Sequence, residues 1–321
     1  MSQDHPDPGD PPSCSSGDRD PQFKKEFEET IQAWADATNA GKTEEAQNVA
    51  MQLLMMVGED ALRNPTPSLL LKQEADDLET KGDWTAAEAV RRKILDLEES
   101  SGNFGMIAKA QMDLCLLLRL FGRLDEAGHF ASAASLSARR SDVIPLVVMV
   151  LECEALCALD QGDSSKALAV ASEALQIIEP GKLYDRLRAR ALTTRARCLI
   201  ANSDLTGAEL HLLLSWKLLP AESNSCMMPG TIQTLANWWE VKSQLEERRE
   251  NLESACSAIT RTIEFRRQSE SPHARFVLTR ALARLGEISS VAADLAGAEQ
   301  ARNEAKTIRE ELHVPPGRKA V

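Results

Sequence analysis

From Phe23 onward apolar residues recur every three or four positions, the period of an amphipathic helix rather than of a strand. The pattern repeats. The hexamers GKTEEA (41–46), GDWTAA (82–87), GRLDEA (122–127), GDSSKA (162–167), SDLTGA (203–208), ENLESA (250–255) and ADLAGA (293–298) are alike. Their closing alanines, Ala46, Ala87, Ala127, Ala167, Ala208, Ala255 and Ala298, are separated by 41, 40, 40, 41, 47 and 43 residues. Near-equal steps between similar segments are the signature of a repeat architecture.

Each step has the same order of parts. An apolar-periodic stretch comes first, such as Leu69–Thr80, Ala108–Leu120, Val147–Leu159 or Leu187–Ala201. A break with Gly or Asp follows, where Gly can take the left-handed conformation that ends a helix. Asp83, Asp125, Asp163 and Asp204 stand where a short carboxylate could cap the next helix. A second amphipathic helix of about four turns then begins, with small residues four and seven positions beyond the closing alanine. Ala131 with Ala134 and Ala171 with Ala174 are examples of the flat stripe on which a neighbouring helix can sit closely. Each unit therefore reads as a helical hairpin that needs its neighbours to bury both faces.

This grammar resembles the tetratricopeptide repeat family over residues 24 to 312, in the longer repeat class typified by kinesin light chain. The family's small residue on the first helix falls twelve positions before the closing alanine, giving Ala75, Cys115, Ala155, Ala196, Ser243 and Gly286, with Trp34 the exception. Its bulky residue three before the alanine is matched by Trp84, Leu124, Leu205, Leu252 and Leu295, but Thr43 and Ser164 depart from it. The helix-ending proline is matched at Pro220 and displaced by one at Pro180. The resemblance implies an all-α, right-handed superhelical solenoid of about seven helical hairpins. The domain reading is a disordered acidic tail over 1–21, the solenoid over 22–312 and a flexible C-terminus over 313–321. The 47-residue step implies a longer linker, Ala221 to Gly230.

Composition narrows the class further. Only 4% of the 321 residues are aromatic, which speaks against strand-rich folds. The longest apolar run, Ile144 to Leu151, is far short of the roughly 20 residues a bilayer span needs. Met1 to Asp20 is polar and reads as carrying no secretion signal. The net charge of -12 argues against general nucleic-acid binding, so neither nucleic acid nor membrane is an expected partner. Seven scattered cysteines, an odd number, suggest thiols in a reducing cytoplasm.

Candidate catalytic chemistry is sparse. No two of the five histidines stand three or four apart, so they build no helical metal face. Cys153 and Cys157 lie one helical turn apart but read as core. No Gly-rich phosphate loop is present. The expectation is a protein that is not an enzyme, with no cofactor and no metal.

The resemblance places the binding groove on the first helix of each hairpin. Counting back from the closing alanines, the groove candidates are Lys109, Met112, Leu116, Met149, Glu152, Leu156, Arg186, Arg190, Arg197, Arg280 and Arg284. Arg119, Cys153, Thr193, Thr194, Ala283 and Glu287 fall on the same faces. They form an apolar, Met-containing floor followed by an arginine stripe, suited to a peptide or protein segment with apolar anchors and acidic groups. A plainer reading stands beside it: Arg186, Arg190 and Arg197 pair with Glu152, Asp185 or Glu240 as surface ions. The family's clamp for C-terminal carboxylates is matched by Arg280 and Arg284. Its asparagines are not, since Val241 and Arg197 occupy those places. The acidic tail, with a net charge of -4 over residues 1–20, is another group that could reach the arginines. The functional expectation is a non-catalytic scaffold that binds a peptide or partner segment in its concave groove. The alternative is a sensory or regulatory subunit of a transcription or signalling complex. Nothing in the sequence fixes the oligomeric state.

Overall fold

The computed structural model describes residues 65–178, 185–219, 229–269 and 271–313, together with isolated positions between 25 and 36. The acidic tail and the linker over 221–228 lie outside the described residues, as do most of the first hairpin and residues 314–321. The chain divides into two compact units, Met1–Leu69 and Leu70–Val321. In the first, helical turns are held by a Lys25–Glu29 ion pair and by the Thr30 hydroxyl donating to the Glu26 carbonyl.

The second unit holds a succession of helix pairs. They are α1 (Pro67–Thr80, whose first three residues belong to the first unit) with α2 (Trp84–Ser101), α3 (Phe104–Leu120) with α4 (Leu124–Ser141), and α5 (Ile144–Asp160) with α6 (Ser164–Ile177). They continue with α7 (Asp185–Ala201) and α8 (Leu205–Trp216), α9 (Pro229–Arg248) and α10 (Leu252–Arg266), and α11 (Pro272–Val291) and α12 (Leu295–Glu311). This is an all-α repeat solenoid, with six hairpins among the described residues.

The same turn closes every hairpin. Gly82, Gly122 and Gly162 take φ values of 76°, 67° and 83°. Ser203, Glu250 and Ala293 occupy the equivalent place in the later hairpins, at φ of 64°, 63° and 65°. In each turn the following N–H reaches back to the first helix: Asp83 to Leu78, Arg123 to Leu118, Asp163 to Ala158, Asp204 to Leu199, Asn251 to Glu246 and Asp294 to Ser289, all at 2.9–3.0 Å. That bond satisfies a carbonyl the helix end would otherwise leave bare. The side chains of Asp83, Asp163, Asp204, Asn251 and Asp294 then cap the second helix. Asp125 is not a cap; it lies in the first turn of α4, and Arg123 holds the cap position without a side-chain cap bond. A carboxylate there still complements the helix N-terminus, and Arg123 instead grips Glu126 and Glu88 at 2.6 Å each.

Small residues set the packing distance. Ala87, Ala127, Ala167, Ala208, Ala255 and Ala298 are at most 1% exposed, and so are their partners Ala75, Cys115, Ala155, Ala196 and Ser243. Gly286 completes the series: a Cβ built there would stand 3.0 Å from Arg302 Cγ and 3.2 Å from the Ala298 carbonyl. Two helices can meet this closely only where neither side carries bulk. Larger side chains fill the spaces between hairpins, among them Leu118, Val148, Leu151, Leu212, Leu245, Ile259 and Leu282.

The first and last described hairpins also touch. Trp84, 5% exposed, packs with Leu117, Phe276 and Leu312 and meets Phe121 and Phe276 edge-on at 5.8 and 6.5 Å. Its indole N–H donates to the Leu312 carbonyl at 2.9 Å.

Two substitutions test this account. Ala293→Gly should raise stability by about 1 kcal/mol in urea unfolding, because the left-handed turn strains a residue with a Cβ and not glycine. Trp84→Ala should cost about 3–4 kcal/mol, a loss of buried aromatic packing and of the bond to Leu312. A change under about 1 kcal/mol at Trp84 would show that the hairpin ends do not support one another.

Candidate functional site

The first helices of successive hairpins, α3, α5, α7, α9 and α11, line a chamber of about 380 Å3 inside the second unit. Ion pairs link neighbouring inner helices about one repeat apart in sequence. Arg119 of α3 holds Asp160 of α5 at 2.7 Å, Arg190 of α7 holds Glu152 of α5 at 2.7 Å, and Arg197 of α7 holds Glu240 of α9 at 2.9 Å. The 40-residue period brings these pairs into register, since equivalent positions on successive inner helices become neighbours.

The floor is apolar. Met112, Leu116, Met149 and Leu156 face the chamber beside Glu152, Arg190, Arg197 and Arg280. Eight groove candidates are therefore brought together. Lys109 borders an adjoining hollow of about 370 Å3 and pairs with Asp113 at 3.5 Å. Arg284 borders another of about 540 Å3, shared with Arg197 and Arg280, and pairs with Glu247 and Glu287. Arg186 is exposed and lies against Gly230, away from these hollows.

Sequence counting did not supply Arg266 or His273. Arg266 comes from the last turn of α10, an outer helix, and reaches inward to Asn237 at 3.2 Å and to Glu240. His273 sits in the first turn of α11 and faces both the chamber and the smaller hollow. The available signal at Arg266 was a charged residue where the α10 pattern asks for an apolar one; it is 5% exposed.

Charge is concentrated here against the grain of the whole protein. Arg119, Arg190, Arg197, Arg266 and Arg280 line the chamber; among the described residues its lining carboxylates are Glu152 and Glu240, and Asp160 beside it holds Arg119. Glu240 is half-buried, and that desolvation alone would raise its pKa, but the guanidiniums of Arg197, Arg266 and Arg280 overcome it and hold it at about 2. Glu152 is buried, with Arg190 as its nearby counter-charge, and desolvation wins, raising it to about 7. Desolvation at the chamber mouth, helped by Arg266, Arg91 and Arg119, lowers His273 to about 4 and keeps it neutral near pH 7. Three of the four buried side-chain polar atoms without a hydrogen-bond partner among the described residues belong to chamber residues: Glu152 Oε1, Arg197 Nε and Arg266 Nε.

Cys153 also lines the chamber, and its thiol donates to Cys115 at 3.5 Å. Cys157 joins this buried group, and all three are free thiols. Among the described residues no cluster of His, Cys, Asp or Glu is arranged to hold a metal ion. No described helix is long and apolar enough to cross a membrane.

The repeated hairpin, its buried alanines and its inner-helix chamber are the fold of a tetratricopeptide-type repeat protein. The chain is similar to the Rap conjugation gene regulator of the plasmid pLS20, solved in complex with the Phr* peptide. That match has 11% identity, covers 91% of this chain and 76% of that one, and gives a TM-score of 0.56. It is also similar to a Rap protein solved in complex with Competence and Sporulation Factor, at 12% identity, with 90% and 99% of the chains covered and a TM-score of 0.53. At these identities the likeness is one of fold. No protein-family model matches the sequence, and no curated protein matches it.

The Glu240 cluster has a measurable consequence. Its folded pKa lies below the ordinary 4.5, so its stabilisation is present above that value and is lost as pH falls toward 2. Glu240→Gln should cost about 3 kcal/mol at pH 7, because it leaves several guanidiniums around a neutral group. It should also flatten the acid limb of stability between pH 5 and 3, followed by urea unfolding. Parallel acid limbs in the two proteins would remove Glu240 from this role.

Proposed function

We propose that the chamber holds an extended peptide, or a segment of a partner protein, making this chain a non-catalytic interaction scaffold. The observation that carries this reading is the five arginines of the chamber set against three carboxylates, Glu152, Glu240 and the Asp160 paired with Arg119, in an otherwise acidic protein. A ligand with carboxylates reduces that excess of positive charge, and guanidinium can bind carboxylate through two parallel hydrogen bonds. Met112, Leu116, Met149 and Leu156 supply contact for apolar anchors, and methionine adapts to varied shapes. The plainer pairing also occurs, at Arg190–Glu152, Arg197–Glu240, Arg266–Glu240 and Arg119–Asp160, yet five guanidiniums still outnumber three carboxylates. The described cysteines are free thiols, which suits action in a reducing cytoplasm.

A regulatory subunit that changes state with its peptide is the second reading. The contact between the first and last described hairpins supports it, since a ligand among the inner helices could be coupled to that contact. The two fold neighbours solved with a peptide and with Competence and Sporulation Factor accord with either reading.

Two pools of fluorescent, N-blocked hexapeptides provide the test. Both carry Leu or Met at two positions; one ends in Asp or Glu with a free carboxylate, the other in Asn or Gln with an amide. The acidic pool should bind more tightly and weaken with salt. An Arg190→Ala/Arg197→Ala protein should lose about tenfold or more in affinity for it, the scale of one charged hydrogen bond. Equal binding of the two pools, or unchanged affinity in the double variant, would overturn the proposal.

A further inference from the structure

Glu152 and Arg190 carry a consequence that rests on the peptide reading just given. Glu152 Oε2 accepts from Arg190 Nη2 at 2.7 Å, while Oε1 is buried without a hydrogen-bond partner. The Glu152 side chain is 5% exposed, whereas that of Arg190 is 35% exposed and opens on the chamber. Arg190 also lies two turns from Arg197 on α7, about 10 Å along the axis, so the two can hold separate groups of one extended ligand.

An ionised carboxylate with one oxygen unpartnered in a dry wall is costly to keep. It is retained here by a single guanidinium, in contrast to Glu240, which several hold. We propose that Glu152 stands in for the ligand's carboxylate: it occupies Arg190 while the chamber is empty. When an anionic group takes Arg190, Glu152 releases it and takes up one proton from solvent. The balance is simple. One Glu152–Arg190 ion pair is broken, one ligand carboxylate–Arg190 pair forms, and the Glu152 carboxylate becomes a neutral carboxyl.

The surroundings allow this exchange to be seen near neutral pH. Glu152 in the empty chamber titrates at about 7, because burial outweighs Arg190. The other charged groups facing the chamber are Arg119 on α3, Arg197 on α7, Glu240 on α9, Arg266 on α10 and Arg280 on α11. Glu240, at about 2, stays ionised between pH 6 and 8.5, and His273, at about 4, stays neutral. An arriving carboxylate removes the counter-charge of Glu152 and adds a like charge beside it, so the bound-state pKa lies higher still. Binding therefore takes up a proton above pH 7. Affinity should rise as pH falls toward 7 and level off below it.

The experiment titrates the acidic hexapeptide pool into the full chain at pH 6 to 8.5, where blocked peptides keep every carboxyl ionised. Affinity should be about fivefold weaker at pH 8 than at pH 6.5, a scale set by one proton. Glu152→Gln, a neutral mimic of the protonated acid, should bind at least as tightly as the native protein does at pH 6.5. Its affinity should stay within about twofold across the range. The native profile is informative even if this variant misfolds: a flat profile overturns the inference and leaves peptide binding standing. Equal pH dependence in native protein and folded variant overturns it too. Failure of the acidic pool to bind at any pH would sink both the inference and the peptide reading beneath it.

Discussion

The close approach of helix on helix at fully buried alanines is the constraint on which the rest depends. Ala87, Ala127, Ala167, Ala208, Ala255 and Ala298 have almost no exposure, and twelve residues before each stands a small residue on the first helix of the same hairpin, as Ser243 does against Ala255 and Gly286 against Ala298. At Gly286 even a Cβ would stand 3.0 Å from Arg302 Cγ and 3.2 Å from the Ala298 carbonyl, which shows how little room a larger residue would find. The identical turn fixes the angle within each hairpin, and the interhairpin leucines and valines fix the angle between them. Inner-helix side chains about 40 residues apart then become neighbours. The chamber's ion pairs follow from that spacing rather than from local sequence.

Within this frame, burial and charge compete differently at two otherwise similar glutamates. Glu240 stays strongly acidic because three guanidiniums converge on it; Glu152, with one, is held near neutrality by desolvation. The repeat supplies both positions alike, on inner helices facing one cavity. Their difference comes from how many arginines the neighbouring helices deliver, including Arg266 from an outer helix. A repetitive scaffold thus acquires distinct sites through departures from its own repeat.

Much of this was legible in the sequence. The closing alanines, the small partners twelve residues earlier and the left-handed turn residues are local features, so counting located them. The chamber's floor and its residues Glu152, Arg190, Arg197 and Arg280 followed from the same count. Arg266 and His273 did not, because their inward reach depends on the ends of α10 and α11 and on the connection between them. Asp125 was misplaced by two residues because Arg123 takes the cap position in α4. Lys109, Arg186 and Arg284 belong to the right helices but lie beyond the chamber's lining. Closure of the ends had no local code at all. It is the sum of small rotations over several hairpins.

The bond from the Trp84 indole to the Leu312 carbonyl turns that sum into a counting rule. An open array tolerates gain or loss of a module, since each contacts only its neighbours. Here a duplicated or deleted hairpin would carry Trp84 and Leu312 past one another and strand both. The number of hairpins between Trp84 and Leu312 is thereby tied to this one bond.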